Sequence, residues 1–277
     1  MKTNRDDGNI FKIDANTSDI ILTPFSCASI INEIIKGLLY QKCQIPYSYS
    51  RMKIMVTKKR QKTSETPIDA GLKLRAECHF LVVSKVLDTV ESAMTSITDE
   101  FIYHKNKVKS VVFVLGTTPF TVREVITINV SCLLGHIEGN HAAELNKYQQ
   151  KILRSIFLRQ EWLDKIEANI PSTNVHIYIK KMNDCSPLKS SGFEPSVAPS
   201  FSNNTKQVQI FLKSDMRKDR NCCESFKVFE DLGESMAEEC EDSSKEEIEN
   251  LTWYKYKDSV KGFKDCFVNK KPLNELW

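Results

Sequence analysis

The sequence lacks the features that indicate a membrane-spanning or secreted protein. No apolar run approaches the roughly 20 residues needed to cross a bilayer, and the first residues, MKTNRDDGN, contain no apolar signal core. The nine cysteines are an odd number and are scattered along the chain, so the sequence does not indicate a disulfide framework. We therefore expect an intracellular protein with reduced thiols.

Signatures of common enzymes and metal sites are also missing. The chain has no GxxxxGK[ST] loop, no GxGxxG loop and no GxSxG elbow. Cys132, His136 and His141 have a loosely zinc-like spacing, but a CxxC pair and a nearby fourth ligand are absent. The adjacent Cys222 and Cys223 fit neither a redox motif nor a metal knuckle. The sequence predicts no enzyme activity, no metal and no cofactor.

Charge of one sign is not in large excess. The chain has 39 Lys and Arg against 36 Asp and Glu, a net charge of +3, whereas a nucleic-acid binder usually shows a concentrated basic stripe. The basic cluster within 58–62 indicates either a solvated loop face or a patch for nuclear import or electrostatic docking. We predict a protein partner and expect neither nucleic acid nor membrane as a partner.

What the chain does contain is a clear strand pair at 109–131. Residues 111–115 form an unbroken apolar run, which is typical of a central strand covered on both faces. After the turn signal at 116–119, the apolar residues of 120–130 mostly alternate, as in a half-buried antiparallel neighbour. This pair predicts a scaffold and carries nothing that looks like a catalytic site.

Three helices are predicted around the strand pair. The first runs from Pro24 to about Gln41 with Ser26 as a candidate N-cap. The second runs over about 69–103, and the third over about 142–169, where Pro171 stops it. Apolar residues recur at helical spacing in all three, so each has a face for a core.

The remaining segments predict strands and loops. Alternating apolar residues predict strands at 175–179 and 208–212. The segment 44–63 breaks the helical pattern and is predicted to be an extended connector. Residues 224–249 are rich in Glu and Asp with little apolar content, the profile of a solvated loop.

This order of elements predicts an α+β domain in which three helices pack on one face of a largely antiparallel β-sheet. We expect a flexible segment over 1–20 and a single domain over 21–265. The domain contains an acidic, disordered insertion at about 224–250, and 266–277 form a C-terminal tail.

Five short motifs, taken in order, resemble the Comet family over about residues 22–265. They are LLYQKCQIPYSY at 38–49, the hairpin VVFVLGTTPFTVREVITINVS, ILRSIFL at 152–158, FEP at 193–195 and VKGFKD at 260–265. Comet proteins are HORMA-like, so the resemblance implies a HORMA-like fold with a C-terminal safety-belt region.

The resemblance also implies a function. Comet proteins bind the closed form of the Mad-two spindle checkpoint protein. The chain would be a non-enzymatic adaptor that presents closed Mad-two to an AAA+ HORMA-remodelling ATPase and so silences the spindle assembly checkpoint. It implies a location in nucleus and cytoplasm, and at the kinetochore or spindle in mitosis. The alternative is a HORMA-type clasp that binds peptides of client proteins in meiosis or DNA repair.

The third helix has two apolar faces. Its core stripe is formed by Tyr148, Ile152, Ile156, Leu163 and Ile166 at about 100° per residue. A second face carries Leu153 and Phe157 and is either a wider core contact or an exposed ridge for a partner. The resemblance implies that this face contacts closed Mad-two, with Leu153 at the position of a family aromatic residue.

Gln41 is a second candidate contact for closed Mad-two. It lies at the edge of the apolar arc of the first helix, where the bottom-up alternative is a frayed end facing water. The resemblance implies a partner-contacting glutamine after Tyr40. It also implies that Phe193 and Pro195 dock the ATPase, although Ser196 replaces the family's basic residue and a plain surface loop is the alternative.

The C-terminal region carries aromatic residues that predict a segment added to a sheet edge. The resemblance implies that it folds back as an internal pseudo-ligand under the chain's own safety belt, and ordinary edge-strand packing is the alternative. The residues concerned are Trp253, Tyr254, Tyr256, Val260 and Phe263.

Overall fold

The computed structural model describes most of the chain. The described residues are 9–15, 17, 22–61, 70–130, 142–166, 170–182, 188–213, 251–268 and 271–276. The acidic stretch at 224–249 lies outside them, as do Cys132, His136, His141, Cys222 and Cys223. None of the described helices is long and apolar enough to cross a membrane.

Four helices and ten strands make up the described chain. The helices are α1 (Pro24–Gln41), α2 (Tyr49–Gln61), α3 (Ala70–His104) and α4 (Ala142–Phe157). The strands are β1 (Ile10–Asp14), β2 (Val108–Gly116), β3 (Val122–Val130), β4 (Asn174–Met182), β5 (Phe193–Ser196), β6 (Lys206–Leu212), β7 (Leu251–Tyr256), β8 (Val260–Lys261), β9 (Phe267–Val268) and β10 (Lys271–Pro272).

The main sheet has the order β1-β6-β3-β2-β4-β7-β5, and β8 pairs with β4 beyond the end of β7. The pairs β1–β6 and β6–β3 are parallel, and the other neighbours are antiparallel. The prediction of a largely antiparallel sheet is confirmed. β2 lies at the centre, and the apolar run 111–115 is buried on both faces, as predicted.

All four helices contribute buried residues to one large core on one face of the sheet. Alternate residues of the strands face this core, among them Val111, Phe113 and Leu115 of β2. A smaller cluster on the opposite face contains Val112 and Val114, with partly buried residues of 197–205 and of β7 packed against it. The protein is therefore a mixed α+β domain.

The start of α1 is fixed by a capping box. Thr23 is the N-cap, its hydroxyl accepts a hydrogen bond from Ser26 N at 3.1 Å, and Thr23 N donates to Ser26 Oγ at 2.8 Å. Pro24 occupies the first turn, where its missing N–H costs nothing. Ser26, predicted as the N-cap, is instead the third helical residue of this box.

The prediction of an extended connector over 44–63 is wrong for residues 49–61, which form α2. Only Met52 and Val56 of α2 are buried, one turn apart, and the helix packs on α3. Ion pairs also join the two helices, including Lys53 to Glu91 at 2.9 Å. Two apolar positions in a charged segment give a weak helical pattern, so the contact with α3 decides its structure.

Two further boundaries differ from the predictions. Residues 10–14, expected to be flexible, form β1 at the edge of the sheet, where Ile13 is buried. Helix α4 ends at Phe157 and not near 169, and a short π-helical turn follows at Trp162–Ile166. The break lets the fully buried Trp162 turn into the core.

Candidate functional site

Helices α1 and α4 lie side by side and meet along a seam. At one end of the seam, Gln149 Nε2 donates to Ser29 Oγ at 2.7 Å. Further along, Gly37 lies so close to Phe157 that a Cβ on the glycine would come within 2.6 Å of the ring. From the first contact to the second, the position moves forward by eight residues on α1, from Ser29 to Gly37, and by eight on α4, from Gln149 to Phe157. The two helices therefore run in the same direction.

Two stripes of residues, each spaced by four, face each other across this seam. On α4, Leu153 lies midway between Gln149 and Phe157, and it is half-buried and packed against the core. On α1, the stripe that contains Ser29 and Gly37 continues one turn further to Gln41, which is half-buried. Leu153 therefore lies in the middle of the seam, and Gln41 lies at its C-terminal end, one turn of α1 beyond the contact of Gly37 with Phe157.

Phe157 lies in the core and not on an exposed ridge. Its side chain is 8% exposed, and its ring packs edge-on against Trp162 at a centroid distance of 4.8 Å. The predicted second face of α4 is thus a core contact at Phe157. Direct contact of Phe157 with a partner is not compatible with this arrangement.

Exposed leucines at the end of α4 extend the surface of the seam. Leu158 is 66% exposed and Leu163 is 42% exposed. Leu163 was predicted to lie in the core stripe, but the end of α4 at Phe157 changes its direction. Leu158 was not predicted, since it lies at the point where the helix ends and helical periodicity no longer applies.

A buried ion pair fixes the C-terminal end of α1 to the sheet. Lys42 Nζ lies 2.7 Å from Glu124 Oε1 of β3, and both side chains are almost completely buried. The lysine also lies over the ring of Trp162 at 5.5 Å. Burial raises the pKa of Glu124, and the adjacent Lys42 opposes this rise. The position of Gln41 is therefore held by its neighbour in sequence.

The FEP triplet forms the short outer strand β5. Phe193 is 3% exposed, and its ring meets Tyr256 of β7 edge-on at 5.5 Å. Its role as a direct docking residue is therefore corrected, because the side chain belongs to the core. Pro195 is exposed at the edge of the sheet, so it remains accessible to a partner.

The aromatic C-terminal segment lies along β4. Tyr254 of β7 pairs with Ile179 of β4, and Val260 of β8 pairs with Val175 of β4. Tyr256 and Val260 are buried, and Trp253 is half-buried against the cluster on the sheet face opposite the helices. The segment thus completes the edge of β4 in the manner of an added strand.

A second buried ionic cluster joins α3, β4 and the chain before β5. His104 Nε2 lies 3.1 Å from Glu100 Oε2, and Lys181 Nζ lies 3.2 Å from His104 Nε2. Ser190 N donates to Glu100 Oε1 at 2.6 Å. Burial raises the pKa of Glu100, while Ser190 and Lys181 act in the opposite direction. Nothing in the sequence indicated this cluster, because Lys181 is 77 positions from His104 and Ser190 is 90 positions from Glu100.

The described residues contain no group of three or more His, Cys, Asp or Glu side chains arranged to hold a metal ion. The features that stand out are a seam between two parallel helices and a sheet edge completed by the chain itself. A seam with exposed apolar residues is the kind of surface that binds another folded protein.

The chain resembles a known class of binding adaptors. Residues 22–187 match the family model of p31comet, described as Mad1 and Cdc20-bound-Mad2 binding. This match covers more than half of the chain, and the protein belongs to the p31comet family. No curated protein matches the sequence.

Membership of this family gives the coarse function. The p31comet family is a family of binding adaptors, and its role is Mad2 binding in the spindle checkpoint. The suspected relationship to Comet is thereby confirmed. The matched residues contain all four helices and the strands β2 to β4, and the match ends before β5.

Proposed function

We propose that this protein binds the closed, Cdc20-bound form of Mad2 through the α1–α4 seam and presents it to an AAA+ remodelling ATPase, which silences the spindle checkpoint. The observation that carries the proposal is the placement of Gln41 and Leu153 along one seam. The two residues are 112 positions apart in the sequence, and both lie on the stripes of α1 and α4 that face each other.

The seam has the energetic means to anchor a partner. Full burial of a leucine side chain contributes about 1.5 to 3 kcal/mol, and Leu153 is only half-buried in the free protein. Leu158, which is 66% exposed, has more apolar area to lose. Together with the polar Gln41 at the rim, these leucines resemble the apolar centre and polar border of a typical interface.

The path of the chain supports a HORMA-like fold with a safety belt. Strand β7 lies between β4 and β5, while β6 lies beyond β3. The connection 197–205 from β5 to β6 must therefore cross the sheet, and Phe201 and Trp253 each pack against the small cluster on the face opposite the helices. In the proposal, this connection is the safety belt and β7–β8 is the internal pseudo-ligand beneath it.

The same path favours the adaptor over the peptide clasp. A clasp would need an open sheet edge for a client peptide. In the described residues, the edge of β4 is paired over 174–175 and 178–182 with the chain's own β8 and β7. A client peptide would have to displace both strands.

The proposal is tested by replacing Leu153 with Asp together with Gln41 with Ala and measuring the affinity for closed Mad2. We expect the Kd to rise at least about thirtyfold, the effect of losing a contact worth about 2 kcal/mol. Because Leu153 also packs against its own core, Leu158→Asp is the companion variant, with the melting temperature measured for each.

Leu74→Asp is the matched control, since Leu74 is 67% exposed on α3, away from the seam. It should bind like the wild type. Undiminished capture of closed Mad2 by the seam variants would show that the interface lies elsewhere. The presentation of Mad2 to the ATPase is tested by a pull-down from dividing cells, in which closed Mad2 and the ATPase should both be recovered. Recovery of Mad2 alone would remove the presenting role.

A further inference from the structure

An open groove of about 690 Å³ lies beside Gln41, at the C-terminal end of α1. One wall is the end of α1 and the turn after it, and the opposite wall is the C-terminal segment 263–265. Tyr40, 49% exposed, stands at its rim. Ile45, Pro46 and Phe263 give the groove an apolar lining.

Gln44 holds the two walls together. Its side chain is completely buried, Nε2 donates to Lys42 O at 2.7 Å and to Ile170 O at 3.4 Å, and Oε1 accepts from Thr173 N at 2.8 Å. Its main-chain oxygen accepts a hydrogen bond from Phe263 N at 2.9 Å. One residue thus joins α1, the chain before β4 and the C-terminal segment.

The C-terminal segment packs so closely at Gly262 that there is no space for a side chain. Gly262 N donates to Thr173 O at 2.8 Å, and a Cβ at this position would come within 2.5 Å of that oxygen and 2.9 Å of Gln44 Oε1. Any side chain here would push the segment away from the groove.

Residues of α3 and of the turn after α1 hold the segment from the other side. The Tyr47 hydroxyl donates to Asp265 Oδ1, and His79 Nε2 lies 3.9 Å from the same oxygen. The ring of Phe263 lies 6.3 Å from the ring of Tyr47 and 6.2 Å from that of His79. The wall of the groove is therefore a fixed part of the fold.

Resting on the proposed function, we infer that the groove is part of the surface that binds closed Mad2, with the C-terminal segment 262–265 as its second wall. The occupant is assigned by continuity, because Gln41 belongs both to the α1–α4 seam and to the lining of the groove. The family match, which ends at residue 187, includes the first wall and the lining residues 170–172 but not the C-terminal wall. Binding of Mad2 therefore depends on a segment that lies outside the matched residues.

The first test compares pairs of surface variants by titration with closed Mad2. Tyr40→Ala removes the rim of the groove, and Tyr103→Ala is its control, because Tyr103 is 52% exposed on α3. Lys264→Glu changes the C-terminal wall. Lys257→Glu is its control, because Lys257 directly follows β7 and is exposed but lies outside the groove. We expect the groove variants to raise the Kd at least about fivefold and the controls to leave it unchanged.

The second test displaces the C-terminal wall of the groove without changing an exposed side chain. Gly262→Ala should raise the Kd at least about tenfold and increase hydrogen exchange at Phe263 N. The melting temperature is measured alongside, and Lys264→Glu keeps the test decisive if Gly262→Ala does not fold.

Two results would overturn the inference in distinguishable ways. If the groove variants bind like wild type while Leu153→Asp with Gln41→Ala does not bind, the groove lies outside the interface and the proposed function stands. If the wild-type protein does not bind closed Mad2, the proposed function and the inference fail together.

Discussion

At the end of α1, successive residues have sharply different environments. Tyr40 is exposed, Gln41 is half-buried and Lys42 is fully buried. Cys43 follows with a φ of 52°, in the left-handed region, and turns the chain so that Gln44 is buried again. The residue that we propose as a partner contact, Gln41, is thus flanked closely by residues that fix it.

The buried pair of Lys42 and Glu124 gives a prediction at this scale. Lys42→Met should lower the free energy of unfolding by about 3 to 5 kcal/mol, because it leaves the Glu124 carboxylate buried without its partner. The double variant Lys42→Met with Glu124→Met should recover most of that loss. Denaturant unfolding at neutral pH measures both.

The pH dependence of Lys42→Met should show the cause of its instability. Without the lysine, the pKa of Glu124 is raised further above its ordinary value of 4.5, because burial is then opposed only by the weaker charge effect of Lys206. The folded state then binds more protons than the unfolded state, so the free energy of unfolding falls as pH rises. The deficit relative to wild type should shrink as the pH is lowered towards 4.5. A deficit that does not change with pH would contradict this explanation.

The sequence predicted some of these residues and missed others for a physical reason. Gln41 and Leu153 became candidates because helical spacing and a family resemblance are both local properties of the sequence, and their contact with Mad2 stays a prediction. The burial of Lys42 depends on Glu124, 82 positions away, and no local pattern encodes that meeting. Phe157 was assigned to a partner surface because spacing alone does not show that Trp162 covers it.

At the scale of elements, the close approach of α1 to α4 depends on the absence of a side chain at Gly37. A Cβ there would lie 2.6 Å from a ring carbon of Phe157, which Trp162 holds in place. The glycine therefore sets the distance between the two helices of the proposed binding surface.

Gly37→Ala should destabilise the protein by about 1 to 3 kcal/mol through overpacking, in spite of the higher helix propensity of alanine. Phe157→Leu added to it should relieve the clash, so the two changes together should cost less than the sum of the separate changes. Thermal or denaturant unfolding of the four proteins in this cycle measures the coupling.

Gly71→Ala is the matched control, since Gly71 is exposed on α3. This change should be neutral or slightly stabilising. Additive effects of Gly37→Ala and Phe157→Leu would show that the seam can widen freely and that Gly37 does not set its spacing.

The predictability of each element follows from how much of its structure is local. The long helix α3 and the strands β2 and β3 have strong apolar periodicity over many residues, and their boundaries were predicted to within a few positions. Helix α2 has two buried residues and depends on ion pairs to α3, so its own pattern was insufficient. The end of α4 is decided by the burial of Trp162, which competes with continued helical periodicity.

At the scale of the whole molecule, strand order was the least predictable property. The strands β2 and β3 are consecutive and antiparallel, as short turns favour. The parallel neighbours β6 and β1 are far apart in sequence, and β7 lies between β4 and β5. The connection 197–205 crosses the sheet and so puts β5 and β6 on opposite sides of β2, β3 and β4. The sequences of the individual strands do not indicate this crossing.

The completed edge of β4 gives a prediction at this scale. Deleting residues 251–277 should lower the melting temperature and promote aggregation, because it leaves the edge of β4 unpaired. A synthetic peptide of residues 251–263, added in trans, should raise the melting temperature with increasing concentration. A scrambled peptide of the same composition is the control.

Equal responses to the peptide and its scrambled form would contradict the added-strand interpretation. A truncated protein that stays as stable as the full chain would contradict it as well, since β7 would then contribute little to the sheet.

The position of β7 also constrains the order in which the protein can be completed during synthesis. The ribosome makes β4 and β5 before it makes the strand that lies between them. Because β5 pairs with β7 alone among the described strands, it can join the sheet only after β7 has emerged and paired with β4. Long-range pairings of this kind slow folding, and the edge of β4 stays unpaired on the growing chain until then.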